Sequence, residues 1–142
     1  MKREEKIKKA KAKLIKAKEI VRKIKADYYA INELRLSLMG TVLDYSKDRV
    51  QTTPENAMEK VMANIEEHEQ SIARNQMILA SIHHSMIVLD ERHREVLTNI
   101  YLRDLSVNAT AERMHCSVRS INYIRNDALE MYYEKILNKN IK

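Results

Sequence analysis

One glycine, one proline, one cysteine and neither phenylalanine nor tryptophan occur in 142 residues. So little Gly and Pro leaves the chain without the punctuation that repeated strands and tight turns require, and an all-α fold is expected. The lone cysteine, Cys116, excludes an internal disulfide and fits a small buried hydrophobe. It also leaves no thiolate pair for zinc, and no two of His68, His83, His84, His93 and His115 stand at the i, i+4 spacing of a helical metal site. One glycine cannot build a phosphate loop, and no nucleophile sits beside a base in a recognisable pattern. No catalytic residue, metal or cofactor is therefore expected. No apolar run approaches the roughly 18 residues that span a bilayer. The lysine-rich start lacks the continuous apolar stretch of a signal peptide. These absences predict a soluble cytoplasmic protein without a membrane partner.

What is present is unevenly distributed charge. Of the net +6, residues 1 to 25 carry +9 from twelve Lys or Arg against three Glu; residues 26 to 88 carry −4 and residues 89 to 142 only +1. A basic run of this kind either meets a polyanion, with salt-dependent affinity, or forms a solvated face that keeps the chain soluble.

Apolar positions in the first segment form two interleaved seven-residue series. One is Ile7, Leu14, Val21, Tyr28, broken at Arg35; the other is Ala10, Ala17, Ile24, Ile31, Leu38. The stretch from Gly40 to Thr53 is where this helix is expected to end. Thr53-Pro54-Glu55 then reads as a helix start, with Thr53 capping, Pro54 at the first helical position and Glu55 complementing the dipole. The second helix repeats Met58, Ile65, Ile72, Leu79 and Met86 every seven residues, supported by Val61, Met62, Ile82 and Ile87, with polar Glu69, Gln76 and His83 at the intermediate seam positions. Two such helices pack as an antiparallel hairpin or join an intermolecular coiled coil, which makes a homo-oligomer a candidate assembly. The expected layout is a helical region over 1–88, with a basic helix over about 3–45, a loop over 46–53 and a helix over 54–87, followed by a separate domain over 89–142.

The C-terminal part reads as a helix-turn-helix. Asp90 is placed as the N-cap of a support helix with the stripe Leu89, Val96, Leu97, Ile100 and Tyr101, ending near Arg103-Asp104. A short helix covers Asn108 to Met114. In Ala109-Thr110-Ala111-Glu112-Arg113-Met114-His115-Cys116-Ser117-Val118-Arg119-Ser120-Ile121, Ala111 is small enough for a second helix to cross it. Met114 and Cys116 flank the turn with apolar groups, and Ser117 can cap the next helix. That helix, extending towards Ile136, buries Ile121 and Ile124. Its polar face carries Arg119, Ser120, Asn122, Tyr123 and Asn126, which can reach base edges in a major groove. Arg119 suits guanine O6 and N7, Asn122 and Asn126 suit adenine or a phosphate, and Tyr123 suits a sugar or a thymine methyl. Ser117 and Ser120 sit where helix N–H groups meet phosphate. Arg92, Arg94, Arg103, Arg113 and Arg125 are either phosphate contacts or partners of nearby Glu. With only +1 over residues 89 to 142, tight binding to double-stranded DNA calls for a second copy or for Lys2 to Lys25.

The stretch Leu89-Asp90-Glu91-Arg92-His93-Arg94-Glu95-Val96-Leu97, with Ala109 to Met114, Ser117-Val118-Arg119-Ser120-Ile121 and Ala128-Leu129, resembles region 4 of bacterial sigma factors. It departs from that pattern at His115, where glycine is usual; histidine tolerates a left-handed backbone better than most residues. Over its length, with Val50-Gln51-Thr52-Thr53-Pro54 before a helix, the chain is similar to the ArpU/RinA-like regulators of late genes in phages and prophages of Gram-positive bacteria. The resemblance implies a transcription activator acting on DNA in a bacterial host, with host RNA polymerase as a further partner. Two rival readings stay open: a phage small terminase subunit, and a coiled-coil module that binds protein. A full sigma factor is not expected, because residues 1–88 contain only Tyr28, Tyr29 and Tyr45 as aromatics for trapping unstacked bases.

Overall fold

The computed structural model describes residues 1–47 and 54–140, and every regular element among them is helical. The order is α1 (Arg3–Lys47), α2 (Pro54–Ser85), a 3-10 turn (Met86–Val88), α3 (Glu91–Leu97) continued by a π-helical turn (Thr98–Leu102), α4 (Val107–Met114), and α5 (Val118–Tyr132), continued by a second π turn (Tyr133–Leu137) and a last turn (Asn138–Asn140). Gly40 lies inside α1. Its cost of about 1 kcal/mol relative to alanine is too small to stop a helix of this length. Pro54 opens α2 as expected; the Thr53 cap, the Val50–Thr53 stretch and most of the expected loop fall outside the described residues.

Two compact units divide the chain, one of Met1–Arg22 with Met77–Lys142 and one of Lys23–Gln76. This grouping differs from the expected division at residue 88. The start of α1 belongs with the C-terminal helices because Ala10 and Leu14, both fully buried, join one apolar cluster with Met86, Leu97, Ile121 and Leu129. Charge pairs flank that contact: Arg3 with Asp127 and Glu130, Lys6 with Glu134, and Lys18 and Arg22 with Asp104. The Glu134 carboxylate accepts a hydrogen bond from the Lys6 ammonium at 2.7 Å and holds its pKa above the ordinary lysine value. In the middle of this unit, all residues from Val96 to Tyr101 are buried. The expected stripe Val96, Leu97, Ile100 and Tyr101 is buried, and Thr98 and Asn99 between them enter the core as well. Oδ1 of Asn99 accepts from Nη1 of Arg103 at 2.7 Å.

In the second unit, α1 and α2 run antiparallel, with Asp27 meeting Ser71 and Arg35 meeting Glu69. The inward positions of α2 are Met58, Val61, Ile65, His68, Ile72 and Asn75, alternating steps of three and four. Met62, Glu69 and Gln76 face solvent, as do His83 and Ile87 further along, which corrects the expected intermediate seam. On α1 the inward residues are Ile24, Asp27, Ile31, Leu34 and Leu38, so Tyr28 and Arg35 are also outside the seam. Two successive three-residue steps, Val21 to Ile24 to Asp27, shift the phase once, as a coiled-coil stammer does. The strict seven-residue count did not allow for that shift.

The shift places a carboxylate in the hairpin core. Asp27 is 1% exposed. It accepts hydrogen bonds from Oγ of Ser71 at 2.8 Å and Nζ of Lys23 at 3.2 Å, and stands 2.8 Å from Nδ1 of His68. Burial alone would raise its pKa, but the bonds from His68, Ser71 and Lys23 outweigh burial and hold it below the ordinary aspartate range. A depressed carboxylate pKa contributes stability that is fully present above the unfolded value and lost as pH falls through the folded one. Asp27→Asn is therefore expected to lower stability by about 1–3 kcal/mol at neutral pH. The deficit should shrink as pH drops below about 4, towards the reference carboxyl pKa. Urea unfolding followed by circular dichroism at several pH values checks this, and a deficit independent of pH would assign the effect to shape alone.

Candidate nucleic-acid interface

The turn before α5 is built by capping at both sides. Oγ of Ser106 accepts from the Ala109 N–H and starts α4. The helix ends at His115 with φ 55° and ψ 43°, in the left-handed region. There the Cys116 N–H bonds to the Ala111 carbonyl at 2.9 Å and the His115 N–H to the Glu112 carbonyl at 3.2 Å, the pair of bonds of a Schellman motif. Ser117 caps α5 as expected, accepting from the Ser120 N–H at 3.1 Å and donating to the Ser120 hydroxyl at 2.9 Å. Asp90 occupies the N-cap position of α3 but makes no side-chain cap bond; its carboxylate lies 3.9 Å from His93 Nδ1 instead.

This arrangement fixes which face of α5 is turned outward. Ile121, Ala128, Leu129 and Tyr132 are buried and Ile124 packs against the core. Arg119, Ser120, Tyr123 and Asn126 are exposed, Tyr123 at 68%. Arg92 of α3 joins them: with Arg119, Ser120, Tyr123 and Ile124 it lines a depression of about 350 Å³. Nη2 of Arg92 is steadied by a 3.2 Å contact to the Cys116 sulfur, which sits half-buried in the turn.

The structure does not gather every expected contact on this face. Asn122 is half-buried. Arg125 is half-buried too, with Nε enclosed and without a hydrogen-bond partner among the described residues. Its charge acts on Tyr101, opposing the burial that raises that phenol's pKa. Arg94 lines a different hollow, with Arg103 and Arg113. The charge count over residues 89 to 142 called for Lys2 to Lys25 or a second copy, and the start of α1 packs in the same unit as this face. Lys8, Lys9, Lys11, Lys13 and Lys16 are exposed and make no ion pair among the described residues. The compact unit to which they belong holds nineteen Lys or Arg against eleven Asp or Glu, a net of +8, so the turn region is not electrically neutral in its folded setting. Ala10 and Ala17, expected in the packing seam of this helix, are buried among these lysines.

No protein-family model, curated protein or solved structure matches this chain. Among the described residues no helix is long and apolar enough to cross a membrane, and no group of three His, Cys, Asp or Glu could hold a metal ion.

A non-glycine residue in the left-handed region is strained by about 1–2 kcal/mol. His115→Gly is expected to raise stability by about 1 kcal/mol, less the entropy that glycine adds to the unfolded chain, whereas His115→Val should lower it. Chemical denaturation of the two variants checks the order.

Proposed function

We propose that the chain is a sequence-specific DNA-binding transcriptional regulator, of the kind its resemblance to ArpU/RinA-like late-gene activators implies, and that it acts by binding rather than by catalysis. The observation that carries this reading is the exposed row Arg119, Ser120, Tyr123 and Asn126 on a capped helix whose opposite face is buried, with Arg92 beside it. An α-helix fits the major groove, and a guanidinium at its first turn can donate two parallel bonds to guanine. Double-stranded DNA is the partner, and contact with host RNA polymerase would make the bound protein an activator.

A self-association reading has its own support. Tyr28, Tyr29, Leu36 and Met39 are exposed apolar side chains within about 100° of one another on α1. A monomer or dimer by light scattering favours a regulator, and a ring of many subunits favours a small terminase subunit.

Arg119→Ala is expected to cost about 1–3 kcal/mol on a site selected from random DNA, with little change on unselected DNA. Equal loss on both would assign Arg119 to a phosphate. Replacing Lys8, Lys9, Lys11, Lys13 and Lys16 together by Gln keeps Ala10, Leu14 and Ala17 in place. This variant should flatten the salt dependence of binding, and an unchanged slope removes the basic helix from the interface.

A further inference from the structure

Arg94 of α3, Arg103 after the π turn and Arg113 of α4 come from three segments yet line one hollow of about 320 Å³, together with His83, Thr98, Glu91 and Glu95. Glu91 and Glu95 stand in the same wall, but among the described residues none of the three guanidinium groups has a carboxylate oxygen within 4 Å. Arg103 donates a hydrogen bond to Oδ1 of Asn99 at 2.7 Å. Thr98 is 9% exposed, and its buried hydroxyl has no hydrogen-bond partner among the described residues. Three guanidinium groups facing one hollow repel each other unless an anion joins them, and the two carboxylates leave the wall with excess positive charge.

We propose that this hollow is a binding site for a phosphate oxyanion. The planar guanidinium fork matches phosphate oxygens two at a time, and three forks from separate segments can hold one group from several sides. The volume lies at the low end of small-ligand sites, which suits a phosphate or pyrophosphate group.

Two sources supply that chemistry. Glu91, Glu95 and Arg113 also line the neighbouring depression with Arg92 and His115, and Arg92 in turn lines the one beside Arg119 and Tyr123. The hollow thus ends a track that starts at the outward face of α5, so a backbone phosphate of DNA can reach it; that source rests on the DNA reading. A small phosphorylated compound is the other source and does not depend on it.

The test uses the full chain and two variants, Arg94→Gln and Arg113→Gln, leaving Arg103 in place because of its bond to Asn99; circular dichroism confirms that both fold. Calorimetric titration with inorganic pyrophosphate and salt-dependent binding to a random-sequence duplex are measured for each protein. Saturable pyrophosphate binding that weakens about tenfold in each variant supports the site with a small-anion source. Absence of pyrophosphate binding, with each variant losing affinity for random DNA and about one unit of salt slope, supports it with a backbone phosphate as occupant. If neither variant changes either measurement, the hollow is not an anion site. Arg119 is intact throughout, so base reading by α5 can fail or succeed independently of this outcome.

Discussion

Burial of Ala10 and Leu14 in the same apolar cluster as Leu97, Ile121 and Leu129 is the contact on which the rest of the first unit depends. Of the helices after residue 88, α3 and α4 are short, and a set of this size has a small core of its own. Full burial of a leucine side chain stabilises by about 1.5–3 kcal/mol. Leu14 therefore supplies an amount comparable with a sizeable part of a small domain's net stability. The basic helix is thus a structural member of the helix-turn-helix unit, and its lysines are displayed from a fixed backbone.

That docking also redistributes a charge balance that is nearly even by composition after residue 88. Of the eight acidic residues after position 88, four (Asp104, Asp127, Glu130 and Glu134) are paired with Arg or Lys of α1. Pairs at a surface are each worth about 0–1 kcal/mol, so their main effect is on the disposition of charge. Acidic groups are used up against one helix, while Arg92, Arg94, Arg113 and Arg119 keep their charge without a carboxylate partner among the described residues. A segment close to neutral in composition can in this way present an uncompensated basic surface.

Much of the helical layout was legible because it rests on local chemistry. The Ser117 cap, the left-handed His115, the stripe Val96, Leu97, Ile100 and Tyr101, and the end of the support helix near Arg103 each follow from a few adjacent residues. What escaped depends on contacts distant in sequence. Thr98 and Asn99 look like the polar face of a surface helix, and only enclosure by surrounding helices buries them. Arg125 stands four residues after Ile121 and three before Ala128, so the helical period turns it inward; only its charge argued for the surface, and Nε is closed off in the folded unit. The row Arg119, Ser120, Tyr123 and Asn126 was readable because its outward direction follows from the buried positions Ile121, Ala128 and Leu129 on the same helix.

The phase of α1 shows the same division between local and distant causes. Its buried stripe runs in steps of four and three from Ala10 to Val21, changes phase between Val21 and Asp27, and resumes to Leu38. The change coincides with the border between the compact units, at Arg22 and Lys23. Steps of four and three hold a stripe in one phase, and a change of phase rotates it on the helix surface. A three-residue step repeated once produces that rotation without breaking a backbone hydrogen bond. Tyr28, which continues the seven-residue count, would keep the earlier phase, and Asp27 takes the inward place instead. Its carboxylate is tolerated there because His68, Ser71 and Lys23 all reach it. A hydrogen-bonded polar group at a seam fixes register more strictly than an apolar one, since any slip leaves it unpaired. The alignment of the hairpin is therefore set by the residue that the apolar pattern would have excluded.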